Sequence, residues 1–138
     1  MPASSPRQIF VNLSVTDLKR SMAFFGALGF EFNPKFTNDQ GACMIVNTQA
    51  YVMLLTTAFF ETFTRKRVCD TRERTESINA FSVGSRAEVD AVYAQAIASG
   101  GQAALDAQDH GFMYSRAFYD LDGHHWEVFW MDPSAAAW

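Results

Sequence analysis

The stretch Asp120-Leu121-Asp122-Gly123-His124-His125-Trp126-Glu127-Val128-Phe129-Trp130 reads as a tight turn running into a strand. Asp-x-Asp-Gly supplies turn chemistry: the aspartates bond nearby backbone, and the glycine tolerates a positive φ. The aromatic and branched residues that follow favour a pleated strand. Alternation puts His125, Glu127 and Phe129 on one face and Trp126, Val128 and Trp130 on the other. The second face is wholly apolar and calls for a helix against it. The first face sets an ionisable pair among apolar neighbours, where a carboxylate must be solvated, paired or bound to a metal. Glu127, with His125 beside it, is the candidate catalytic residue, as a ligand acceptor or a base; the alternative is an inherited position satisfied by Asn12 or a water.

Upstream of this turn, Phe112 to Tyr119 reads as a long strand, Asp106 to Gly111 as a loop and Gln102 to Leu105 as a short strand. Gly100-Gly101 ends a helix whose buried stripe is Val89, Val92, Tyr93, Ala96 and Ile97. Ser85 and Glu88 form its capping box, and Ser77 to Val83 forms the strand before it.

The N-terminal half follows the same order. Gln8 to Val15 is a strand, Thr16 and Asp17 offer helix N-caps, and Leu18, Met22, Phe25 and Leu28 fall on one stripe ending at Gly29. Phe30 to Thr37 reads as a strand, 38–41 as a hairpin turn, and Ala42 to Val46 and Tyr51 to Thr56 as two more strands. Two β-α-β-β-β units, about 8–57 and 77–131, make an internal repeat joined by a linker at 58–76. The linker is long for a plain connector and carries Arg65, Lys66, Arg67, Arg72 and Arg74. These charges either attract an anionic ligand or form a solvated face balanced by Asp70, Glu73 and Glu76.

The totals set the broad class. The 138 residues suffice for a single domain with a real core, and 49% hydrophobic content is ordinary for a globular protein. Thirteen phenylalanines favour a large aromatic core or an aromatic-lined cavity. A net charge of −4 argues against a nucleic-acid partner. No apolar run approaches a membrane span, and Met1 to Arg7 has no apolar signal core. Cys43 and Cys69 show no metal or redox spacing and read as reduced thiols, so a cytoplasmic location is expected.

Three segments together resemble the glyoxalase/bleomycin resistance/dioxygenase (vicinal oxygen chelate) superfamily. Val15-Thr16-Asp17-Leu18-Lys19-Arg20-Ser21 is similar to its strand-to-helix signature, and Phe24-Phe25-Gly26-Ala27-Leu28-Gly29-Phe30 to its helix ending. Asp120-Leu121-Asp122-Gly123 with Glu127 is similar to its D-P-D-G-x-x-x-E ending, with Leu121 in place of the proline. The resemblance spans about 8–131 and implies an α+β fold: two βαβββ modules with curled mixed sheets around a cavity. It also implies a homodimer. In active members four strands each give one ligand to a divalent metal, which acts as a Lewis acid on a substrate oxyanion. Carried over here, those positions are Phe10, a residue near Leu54, one at or next to Ile78, and Glu127, so only the last has the expected donor.

No cofactor is therefore expected. A divalent metal, if bound, has Glu127, His125 and His110 as its donors. Asn12 shares a strand face with Phe10, and is either a ligand contact or a hydrogen-bond anchor. His110, Tyr114 and Arg116 complete the candidate ligand-binding set with His125. The leading expectation is a metal-independent binder of a small organic molecule. The alternatives are a lactoylglutathione-lyase-like or dioxygenase-like enzyme with a rearranged ligand set, and a non-catalytic interaction module.

Overall fold

The computed structural model describes residues 5–135. The stretch Met1 to Ser4, part of the N-terminal segment read above, lies outside the described residues. The chain divides into two compact units, Met1–Val68 and Cys69–Trp138, with the boundary inside the segment expected as a linker.

In the first unit the elements are β1 (Ile9–Val15), α1 (Leu18–Ala27), β2 (Glu31–Asn33), β3 (Gly41–Ile45), β4 (Ala50–Thr56) and α2 (Thr57–Glu61). The sheet order is β1-β4-β3-β2, with β1 and β4 parallel and the other pairs antiparallel. Asp17 caps α1 by accepting from Arg20 N. Leu13, Val15, Ala42, Met44, Val52 and Leu54 are buried on one face of this sheet. Helix α1 packs on β3 and β4 and buries Leu18, Ser21, Phe24 and Phe25. Each fully buried aliphatic or aromatic side chain contributes about 1.5–3 kcal/mol. The inward stripe is thus rotated from the expected one: Phe24 and Ser21 point inward, while Met22 and Leu28 are only half-buried.

Strand β2 is also shorter than the sequence suggests. Asn33 Oδ1 accepts from Lys35 N, and Pro34, with its fixed φ, opens a 3-10 turn over Pro34–Phe36 that ends the strand. The hairpin turn before β3 forms as read, with Asn38 Oδ1 accepting from both Gln40 N and Gly41 N.

The second unit repeats this plan with β5 (Ile78–Ser82), α3 (Arg86–Ala98), β6 (Gln102–Asp109), β7 (Met113–Tyr119) and β8 (His125–Met131). The sheet order is β5-β8-β7-β6, and β5 and β8 are parallel. Ser85 caps α3 by accepting from Glu88 N. Helix α3 packs on β7 and β8, and Val89, Ala96, Phe118, Trp126 and Val128 are buried there. The apolar face of the closing strand has the helix it calls for. Strand β6 runs on to Asp109, where a loop was expected, because β7 supplies a partner as far as Asp109↔Tyr114. Two register shifts within β6 absorb its irregularity.

Among the described residues no helix is long and apolar enough to cross a membrane.

Candidate functional site

The register of each sheet fixes which side chains share its open face. In the second unit β8 pairs with β5 as Ile78↔His125 and Ala80↔Glu127, and with β7 as Tyr119↔His125 and Ala117↔Glu127. Partners in register point the same way, so Ile78, Tyr119, His125, Glu127 and Phe129 lie on the face opposite α3. His125 is buried with its ring edge-on to Tyr119, centroids 5.6 Å apart. Its Nε2 is buried, has no hydrogen-bond partner among the described residues, and lies 3.8 Å from Glu127 Oε2. That gap is too long for a hydrogen bond. A small shift, a water or a ligand hydroxyl would close it. Ile78, by contrast, is 58% exposed at the edge of this face.

The first unit presents its own version of the face. Phe10 pairs with Tyr51 and Asn12 with Met53. The Phe10 and Tyr51 rings stack at 4.8 Å with 12° between planes, although Phe10 is 48% exposed. Asn12 Nδ2 donates to the Phe10 carbonyl, and the amide is exposed on this face.

Three of the candidate ligand contacts sit elsewhere. Tyr114 and Arg116 pair with Trp130 and Val128, which places them on the helix-covered side of the sheet and not with Glu127. The Tyr114 hydroxyl donates to Asp90 Oδ1 at 2.6 Å, and Arg116 lies 3.7 Å over the Tyr93 ring. The Asp90 hydrogen bond, ahead of burial and the Asp90 charge, raises the Tyr114 pKa. Arg116 pairs with Asp90 at 3.4 Å, so it neutralises a surface acid of α3. His110 lies in the exposed turn after β6, at the Met113↔Met131 end of the hairpin. Tyr119↔His125 is six pairs away, roughly 20 Å along the strands. His110 is too remote to act with His125.

The turn that opens β8 is built more firmly than its sequence shows. Asp120 is buried, and its Oδ1 accepts from Asp122 N and His124 N while Oδ2 accepts from Trp126 Nε1 at 2.9 Å. Burial pushes the Asp120 pKa up; the His124 charge and these three N–H groups oppose the rise. His124 is buried, with Nδ1 3.2 Å from Glu76 Oε1. Sequence reasoning also missed a clamp at the other end of the sheet. Arg86 makes a bidentate pair with Asp109 at 2.9 and 3.0 Å and donates to the Gly111 carbonyl. These residues are 23 and 25 positions apart. No local pattern signals such a contact.

Sequence comparison supplies one partial match: residues 7–47 fit the model for the bleomycin resistance protein-like N-terminal family. A hypothetical protein from S. aureus is similar over 91% of this chain and 95% of its own, with 26% identity and a TM-score of 0.77. The fold is that of the glyoxalase/bleomycin resistance/dioxygenase superfamily. A Burkholderia phytofirmans enzyme of that superfamily matches 88% of this chain and 96% of its own, at 15% identity and TM-score 0.73. Lactoylglutathione lyase from Agrobacterium tumefaciens matches 94% of this chain and 96% of its own, at 19% identity and TM-score 0.64. No curated protein matches the chain.

The superfamily's divalent metal needs a donor at each of four positions. Aligning Ser14 of β1 with Ser82 of β5 makes Phe10 equivalent to Ile78, and through their partners Tyr51 equivalent to His125 and Met53 to Glu127. The first unit's counterpart of Glu127 is therefore Met53, on the open face. Leu54, proposed from the sequence, is fully buried on the opposite face against Leu13. The four positions are then Phe10, Met53, Ile78 and Glu127, with one hard donor among them. Among the described residues no three His, Cys, Asp or Glu side chains gather into a metal-binding group. This donor set does not fit the metal.

Proposed function

We propose that the protein binds a small organic molecule with an aromatic or apolar body, without a metal. One observation carries this reading: strand register puts Phe10, Met53 and Ile78 at three of the four positions where the superfamily resemblance implies metal ligands. Phenylalanine and methionine surfaces suit apolar ligands, and methionine adapts to irregular shapes. The open face of the first unit offers a π surface in its exposed Phe10–Tyr51 stack, and the open face of the second, taken by itself, offers a polar anchor in Glu127 with His125, beside apolar Ile78 and Phe129. In this role Glu127 is a ligand contact, accepting a hydrogen bond from a hydroxyl or amine.

The test has two parts. Elemental analysis of protein offered Ni, Zn, Mn or Fe should find no stoichiometric metal. A thermal-shift screen of glutathione conjugates, catechols and aromatic antibiotics should raise the melting midpoint for an aromatic compound by mass action. Glu127→Ala should then weaken that compound by about tenfold, the value of a charge-assisted hydrogen bond. Stoichiometric metal that disappears in Glu127→Ala would overturn the reading in favour of a metal-dependent enzyme.

A further inference from the structure

A recess of about 360 Å³ lies within the second unit, away from the Glu127 carboxylate, between the 71–75 segment and the turn that opens β8. That volume falls at the lower end of the range for small-molecule pockets. Polar residues Arg72, Glu73, Arg74, Thr75, Gln102 and Tyr119 are among those that line it. Neither guanidinium has an ion-pair partner among the described residues. The hydroxyls of Thr75 and Tyr119 likewise have no hydrogen-bond partner among them.

The recess is held in shape by backbone. Asp70 accepts from Arg72 N through its side chain and from Glu73 N and Arg74 N through its carbonyl, so both arginines start from one fixed turn. Thr71 Oγ1 donates to the Asp122 carbonyl at 2.6 Å, fastening this turn to the next. Gly123, at φ +83, lets the two segments meet: a Cβ there would collide with the Thr71 carbonyl oxygen. Gly100, at φ +105, leaves space beside Leu121.

The free donors favour an anion. Asp120 also lines the recess, but three N–H donors already occupy its oxygens. Two guanidinium groups and two acidic side chains, Glu73 and Asp120, line the recess, and of these the guanidinium groups are the ones with N–H donors free to meet a ligand. Arginine matches carboxylate and phosphate through paired N–H donors, and partial enclosure strengthens such contacts relative to open solvent.

We propose that this recess is a second binding site, for the carboxylate or phosphate of a small organic anion. Arg72 and Arg74 supply the charge contacts, and Thr75, Gln102 and Tyr119 supply neutral hydrogen bonds. The lining shares Tyr119 with the face that carries His125 but does not include Glu127, so loss of ligand binding at Glu127 would leave this site in place.

Titration of the full chain with inorganic phosphate and with citrate, followed by amide NMR, tests the proposal. Saturable shifts confined to 71–75, 100–102 and 119–123 are expected. Tighter binding of one probe identifies the preferred anion class. The double substitution Arg72→Gln with Arg74→Gln should weaken binding by at least about tenfold without changing the melting midpoint. Glu73→Gln should strengthen it a few-fold, roughly the effect of removing one nearby like charge. Glu127→Ala should leave it unchanged. Shifts that do not saturate, shifts spread over all surface arginines, or full affinity in the double variant would each overturn the proposal.

Discussion

The two units are one plan built twice, and they differ in where their polar side chains lie. Both run strand, helix, three strands, with the first strand parallel to the last and a side-chain cap on each helix. At equivalent open-face positions the first unit has Phe10, Tyr51 and Met53, and the second has Ile78, His125 and Glu127. One face is aromatic and apolar; the other carries the ionisable pair. The turns before the last strands differ in the same sense. In the first, exposed Asn47 accepts from Gln49 N. In the second, buried Asp120 accepts two backbone N–H groups and the indole of Trp126. Backbone topology is thus repeated, while the buried polar chemistry is concentrated in the second unit, where it orients β8.

Breaking the turns should separate the units most. Asp120→Ala leaves the buried Trp126 indole and two backbone N–H groups unpaired, and should cost about 3 kcal/mol or more in denaturant unfolding. Asn47→Ala in the equivalent turn should cost no more than about 0.5 kcal/mol, as for an ordinary surface position. Equal losses would show that the Asp120 network does not distinguish the two turns.

Glycines sharpen the contrast at a smaller scale. Gly123→Ala drives a methyl into the Thr71 carbonyl at a positive φ, and should destabilise by about 2 kcal/mol. Gly26, near the end of α1, has nothing within 4 Å of a built Cβ, so Gly26→Ala should stabilise by about 0.5 kcal/mol. Thermal melts of the two variants give the signs directly.

The smallest expected effect concerns the Arg86–Asp109 clamp, which has no counterpart among the described residues of the first unit. The Arg86 hydrogen bond, with Gly111 N, holds the Asp109 pKa down at about 2 against an ordinary 3.8. A carboxylate depressed in the folded state stabilises above its unfolded pKa, and that contribution fades as pH falls from about 4 towards 2. Both groups are solvent-exposed, so the change is small and salt-sensitive. Asp109→Asn should flatten the pH dependence of unfolding in that window; an unaltered slope would show that the clamp does not couple to folding.

Much of the fold is legible in the chain because its signals are local. The Asp17 and Ser85 caps, the Gly29 and Gly100 stops and the Asp120–Gly123 turn each act within a few residues, and all appear where the sequence places them. The ends of β2 and β6 are less legible. Pro34 and the Asn33 cap stop the first early, while a partner strand carries the second through Asp106, Gln108 and Asp109, which alone favour a loop.

The sequence by itself determined the repeat, the two-faced closing strand and the presence of Glu127 without its usual companions. Only tertiary structure decided which side chains share its face. Strand alternation has a period of two, so a one-residue difference in register exchanges the faces. The observed pairing turns Tyr114 and Arg116 towards α3 and puts Met53, not Leu54, opposite Asn12. The Asp120–Trp126 bond and the Arg72–Arg74 recess likewise depend on segments brought together by folding, which no spacing within either segment encodes.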